Sequence, residues 1–274
     1  MYVLYKLLNI LNIRRFMDCE AYYDIFYEVL GEHPLKRWDV FRLERTFQQI
    51  LKKGKLHDVG CGVGHWLKIL SMEKGLNLSG SDISNDALNK AKRRLKGKRV
   101  SLKLGDVRKL KYKDKEFDQT TALEVIEHIP HWEKSVLEMI RISKKRIVIT
   151  VPYNERLSYG KCPECGKEVF IDGHLHKFKE KDFLRFRKYG KVSFERIFHP
   201  YKFRDFLRRG LKLFLMKRKR DGEELTLKVV CQNCYKKISY KKYSLRIGNR
   251  LYKFFTRKPE YLLVRIDLDY SQGH

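Results

Sequence analysis

The chain has 274 residues and a hydrophobic fraction of 43%, which suits one α/β domain with insertions and argues against a disordered polymer. Its 61 Lys and Arg outnumber 33 acids, giving a formal net charge of +28. Such a surface attracts nucleic acid, anionic lipid headgroups or acidic glycans, although a basic bias throughout the source's proteins would give the same count. No apolar run approaches the roughly 20 residues that cross a bilayer.

Residues 1–53 read as two or three helices, with His33-Pro34 opening the last. The opening MYVLYKLLNILNIRRF is broken by Lys6, Asn9 and Asn12 and lacks a small-residue cleavage site, so it reads as an amphipathic helix rather than a signal peptide. From Lys55 the pattern becomes short apolar runs alternating with helical stretches, the signature of a parallel sheet. Strands are expected at 56–60, 76–82, 99–106, 117–125 and 146–153, with helices beginning at Gly62, spanning 85–95 and spanning 131–142. Further along, 179–189 reads as a helix, and 192–198 and 261–268 as a sixth and a seventh strand. The interval between those last strands is long enough for a lobe. Within it, residues 201–220 hold nine basic residues and one acid among apolar ones, a pattern suited to an anionic surface or to a solvated basic face.

Three strand ends carry candidate chemistry. Asp58-Val-Gly60-Cys-Gly62-Val-Gly64 sits where a first strand turns into a first helix, and glycines there let backbone approach a ligand closely. The dinucleotide fingerprint fails, because its third glycine would fall at His65 or Leu67. Asp82, followed by Ile83, ends the second strand, and Asp106, followed by Val107, follows the third. Each Asp would otherwise serve as a helix cap or turn residue. The pentad Glu124-Val-Ile-Glu127-His128 ends the fourth strand, and a helical turn there would put 124, 127 and 128 on one face.

Taken together, these motifs resemble the class I S-adenosylmethionine-dependent methyltransferases over about residues 55–200 plus the last strand. The resemblance implies a seven-stranded, mostly parallel, doubly wound α/β sheet preceded by N-terminal helices. It also implies that Gly60, Gly62 and Gly64 pass under the methionine part of S-adenosylmethionine, with Asp58 holding that loop and the amino group. Asp82 would accept from both ribose hydroxyls, with Ile83 beside it. Asp106 would accept from the adenine amino group, with Val107 alongside, and Glu124 would complete the cofactor set. His128 is then the candidate base, since its ordinary pKa lies near neutrality, with Glu127 as its companion. E-x-x-E-H followed by a later histidine also looks like the metal site of small-RNA 3′-terminal 2′-O-methyltransferases. There Glu124, Glu127 and His128 would be joined by His174 or His176 around a divalent ion that acidifies a ribose hydroxyl.

Six cysteines without an export signal point to a reducing compartment. Cys162-x-x-Cys165 and Cys231-x-x-Cys234 are knuckle-forming pairs, expected to hold one structural Zn2+. Cys19 and Cys61 read as packing residues. Sixty-five residues separate the pairs, where roughly 15–20 is usual. Topology accounts for the gap. If strand six runs parallel to strand five and strand seven returns antiparallel, both pairs leave the sheet at its carboxyl edge, beside the cofactor. Such paired insertions resemble methyltransferases of glycan and lipid pathways.

The expected organisation is therefore a helical extension (1–53), a core (54–200 and 260–270) and a zinc and basic lobe (158–177 and 201–259). The expected activity is O-methylation of a small, lipid-linked or glycan-related acceptor. RNA methylation and a non-catalytic zinc-lobed binding protein are the alternatives. The chain is expected in the cytoplasm, with an anionic partner and peripheral contact with a membrane.

Overall fold

The computed structural model describes residues 37–198, 225–242 and 259–269. The helices expected before residue 37 and the basic stretch 201–220 lie outside the described residues. Eleven strands are described. Seven of them, β1 (Gly54–Val59), β2 (Leu76–Asp82), β3 (Val100–Leu104), β4 (Phe117–Leu123), β5 (Ser143–Pro152), β8 (Gly190–Phe198) and β11 (Pro259–Leu268), form one sheet in the order β3-β2-β1-β4-β5-β11-β8. β1 to β5 pair in parallel, whereas β11 runs antiparallel to both β5 and β8. β8 is thus parallel to β5, as the placement of the cysteine pairs required.

Alternation along β5 explains the two cores. Ile147, Ile149 and Val151 point to one face, with Trp132, Phe178, Phe183 and Phe186. Val148 points to the other, with Leu43, Trp66, Leu67, Leu88 and Leu263. Helices α2 (His65–Leu70), α3 (Asn85–Arg94) and α4 (Trp132–Ile142) supply these covers, each with an apolar stripe at helical spacing. Burying both faces is what lets a central strand such as β5 carry the nearly continuous apolar run 147–151.

Helix α1 (Arg37–Gln49) is bound to the sheet rather than appended to it. Arg45 Nε and Gln49 Nε2 donate to Glu195 on β8 (2.5 and 3.2 Å), and Arg265 on β11 donates to Gln49 Oε1 (2.8 Å). The buried Gln119 on β4 bridges the Leu51 backbone, accepting from its N–H at 2.8 Å and donating to its carbonyl at 2.7 Å.

Two expected helices take tighter forms. Residues 179–189 divide into a short helix α5 (Glu180–Phe183) and a 3₁₀ segment (Leu184–Tyr189). Phe183, Phe186 and Tyr189 recur every third residue, and all three pack into the same core, so the repeat of three residues per turn keeps them aligned. After β4, Glu124 adopts a left-handed φ of 58° while its N–H still bonds Thr150 O across the sheet. Only one 3₁₀ turn follows, Ile126–His128.

Candidate active site

The glycine loop leaves β1 with Gly60, Gly62 and Gly64 all at positive φ (67°, 50° and 80°), a conformation that L side chains rarely adopt. A Cβ on Gly60 would lie 2.6 Å from the Val125 side chain, so the loop closes against the turn after β4. Asp82 fastens it from beneath. Its Oδ2 accepts the Gly62 N–H at 2.7 Å, and its Oδ1 accepts the Ser84 N–H at 3.0 Å. Ser84 in turn caps α3 by accepting from Ala87 N. Asp82 is buried, so these charge-assisted bonds define the path of the loop. Ile83 is partly exposed beside it.

Asp58 is 3% exposed and accepts from Thr121 Oγ1 at 2.6 Å. Burial pushes its carboxyl up to about 7, the Thr121 hydrogen bond opposes the rise, and Asp82 adds to it. Asp106 keeps a different company from its expected one. Arg108 forks onto both of its oxygens (2.6–3.0 Å), and the Arg108 N–H also donates to Oδ1. Despite partial burial, that fork holds the Asp106 carboxyl below its usual range, and any ligand donor there shares the carboxylate with Arg108. Val107 is buried beside it.

Arg42 was not legible as a site residue. It is 7% exposed on α1, donates to Thr150 Oγ1 at 3.1 Å and stacks 5.2 Å above the Tyr261 ring. Its charge bears on both Asp58 and Glu124. The available signal was a cation on the helix face shared by Leu43, Thr46 and Ile50, all buried.

Across the sheet edge, the 3₁₀ turn presents Glu127 and His128 to the segment returning from β7 (Glu168–Phe170). Glu127 is fully buried, and among the described residues neither of its carboxylate oxygens nor the buried Glu124 Oε1 has a hydrogen-bond partner. Burial, then the neighbouring Glu124, raises the Glu127 carboxyl well above its usual range. His128 Nδ1 bonds Gly173 O (3.1 Å), and its ring meets that of His174 edge-on at 4.7 Å. Burial and then His174 lower the His128 pKa to about 3. Burial therefore keeps the imidazole neutral at physiological pH. His174 Nδ1 pairs with Glu155 at 2.5 Å. One ligand atom each from Glu127, His128 and His174 lies within 4.8 Å of the others. His176 does not join them, since its Nε2 bonds Ile129 O at 2.9 Å.

The cysteine pairs meet as expected. Hairpin β6 (Tyr159–Lys161) with β7 (Glu168–Phe170) carries the first knuckle, and hairpin β9 (Leu225–Val230) with β10 (Lys237–Lys242) carries the second. Cys162 Sγ lies 3.8 Å from Cys234 Sγ, Cys165 Sγ lies 3.8 Å from Cys231 Sγ, and all four sulfurs fall within 4.8 Å of one another. Matching backbone bonds, Gly166 N to Cys162 O and Tyr235 N to Cys231 O, close both turns. Cys61 is buried in the core, as read from sequence, and Cys19 lies outside the described residues.

With this geometry in view, the comparisons with known proteins fall into place. The fold is that of the class I S-adenosylmethionine-dependent methyltransferases. Residues 57–149 match the family described as methyltransferase domain. Methyltransferase GfsG of Streptomyces halstedii is 35% identical over 92 residues, which are 32% of this chain and 33% of that protein. Norajmaline N-methyltransferase of Rauvolfia serpentina is 32% identical over 110 residues, 38% of each chain. The matches thus span between a third and two-fifths of the length of these curated relatives. Phosphoethanolamine N-methyltransferase 2 of Haemonchus contortus, solved with S-adenosyl-L-methionine, shares the fold with a TM-score of 0.57 and 16% identity. That likeness covers 89% of this chain and 56% of the other.

Proposed function

We propose that the chain transfers the methyl group of S-adenosylmethionine to a hydroxyl or similar nucleophile on a small, lipid-linked or glycan-related acceptor. The residues fit the cofactor on two counts. The left-handed glycine loop is held open by Asp82, and Asp58 and Glu124 offer carboxylates to a cationic ligand from the same carboxyl edge. When bound, the cofactor supplies a methyl group activated on a sulfonium, so the protein's task is alignment and handling of the acceptor proton.

The observation that carries the reading is Glu127, a buried carboxylate with both oxygens unpartnered, beside the edge that holds the glycine loop. Such a group is costly unless a ligand completes it. An acceptor hydroxyl would do so, with Glu127 taking its proton and the neutral His128 orienting it. Differential scanning fluorimetry with S-adenosylmethionine is the first test, because a ligand of the native state must raise the melting temperature. No shift would favour a non-catalytic zinc-lobed binding protein. Transfer of label from methyl-labelled cofactor to lipid-linked or glycan fractions would then identify the acceptor.

A second reading is supported by the grouping of Glu127, His128 and His174. Glu155 fixes Nδ1 of His174 and Gly173 O fixes Nδ1 of His128, which makes Nε2 the metal-binding atom of each ring, an arrangement common behind metal ligands. These residues would hold a divalent ion that binds the acceptor oxygen. An exchangeable second metal, lost in His174→Ala, would decide for it; activity surviving strong chelation would exclude it.

The four thiolates form a structural Zn2+ site in this reading. A zinc–sulfur bond of about 2.3 Å gives a tetrahedral edge of about 3.8 Å, far longer than a disulfide bond of about 2.05 Å. The sulfur separations of 3.8 Å match that edge. The charge of +28 supports an anionic acceptor or surface, in keeping with a cytoplasmic enzyme peripheral to a membrane. Among the described residues no helix is long and apolar enough to cross a membrane.

A further inference from the structure

We infer that the thiolate lobe positions the acceptor side of the site, and that Gln232 is the residue through which it does so. The inference rests on the reading of Glu127 and His128 as acceptor-side residues. It starts from an asymmetry between two otherwise matching knuckles. In the first, the residues between the cysteines, Pro163 and Glu164, are exposed. In the second, Gln232 is 3% exposed. A Cys-x-x-Cys turn needs nothing from its intervening side chains to offer two sulfurs, so a buried amide there serves something else.

Its partner is the end of β7. Gln232 Oε1 accepts the Phe170 N–H at 3.1 Å, and its Nε2 donates to the Phe170 carbonyl at 2.8 Å, so the amide pairs with one backbone unit as a neighbouring strand would. Asn233 adds a bond to Glu168 O at 2.9 Å. The chain then turns at once. Gly173, with φ 72°, donates its N–H to the same Phe170 carbonyl at 3.1 Å. Its own carbonyl holds His128 Nδ1 at 3.1 Å. Two residues on, Leu175 N donates to the Glu127 carbonyl at 2.8 Å. A run of hydrogen bonds therefore leads from the second knuckle, through Phe170 and Gly173, to His128, and the backbone from Gly173 to Leu175 carries it on to Glu127. Gln232 lies 62 residues beyond Phe170 in sequence, and the meeting of the two knuckles brings it onto the return segment. Gln232 is thus a positioning residue, acting on His128 and Glu127 through the backbone of 170–175.

The test uses the full-length, metal-loaded chain and reads contacts rather than turnover. In Gln232→Ala, one tightly held metal per chain should remain, exchange of the Leu175 amide should accelerate about tenfold or more for the loss of a hydrogen-bond pair, and the His128 Nδ1 proton signal should shift or vanish in nitrogen-15 NMR. Cofactor affinity should stay within twofold. Gln232→Glu keeps an acceptor for Phe170 N–H but loses the donor to its carbonyl, and should fall between the wild type and the alanine variant. It carries the same test should the alanine variant shed its metal. An unchanged Leu175 exchange rate and His128 signal in both variants would overturn the proposal. Failure of the methyltransfer reading would show separately, as absence of a thermal shift with S-adenosylmethionine.

Discussion

The two sides of the carboxyl edge are finished to different degrees. On the cofactor side, Asp82 spends one oxygen on Gly62 and the other on Ser84, Asp58 is bonded to Thr121, and Asp106 is forked by Arg108. On the acceptor side, both carboxylate oxygens of Glu127 are buried without a hydrogen-bond partner among the described residues. Unpartnered buried carboxylates cost stability, so their retention marks where a ligand, a metal or a moving proton completes the structure. In the function proposed here, the grip on the donor is built into the fold and the grip on the acceptor is completed on binding.

The largest effect that would break this contrast is expected from Asp82→Ala. It removes the two charge-assisted bonds that shape the glycine loop, and cofactor affinity measured by calorimetry should fall by about 100-fold or more, each such bond being worth about 1.5–3 kcal/mol. Unchanged affinity would mean that the loop is not held from beneath. Next comes Cys165→Ser, which should release the thiolate metal and raise proteolysis near 159–171 and 230–238 while the sheet stays folded. Intact protease resistance there would show that the two hairpins do not depend on a shared site.

Glu127→Gln sharpens the contrast from the other side. It replaces a buried acid whose charged form burial disfavours, so thermal stability should hold or rise, cofactor affinity should not change, and methyl transfer should drop roughly 100-fold, within the range of general-base contributions. A loss of stability instead would make Glu127 a structural residue. The smallest effect concerns pH. Burial keeps Asp58 largely protonated below about 7. A cationic cofactor favours the ionised carboxylate, so binding releases a proton and tightens as pH rises from 6 to 8. In Asp58→Asn that slope should flatten; an unaltered slope would assign the proton to another group.

Much of this was legible because it is local. The strands can be placed along the chain from the rhythm of short apolar runs, since strands buried on both faces are rich in apolar residues. Gly60, Gly62 and Gly64 were readable because no other residue takes that backbone shape cheaply. The cysteine pairs were readable because thiolates at that spacing form one kind of turn. The acceptor side was less legible. Sequence could not choose between His174 and His176, two residues apart, because the choice depends on which ring the Gly173 turn directs at His128. It also gave His128 the pKa of a solvated imidazole.

What the sequence determined by itself, then, was the sheet, the glycine loop and the meeting of the four cysteines, each set by backbone conformation or by periodicity within a few residues. Tertiary structure alone decided the rest. It buried Arg42 beneath the site from a helix some eighty residues before Glu124. It stripped Glu127 of partners, and it linked the second knuckle to the turn at His128. Burial and long-range hydrogen bonds set the charge state and direction of a side chain, and neither is written in the residues beside it.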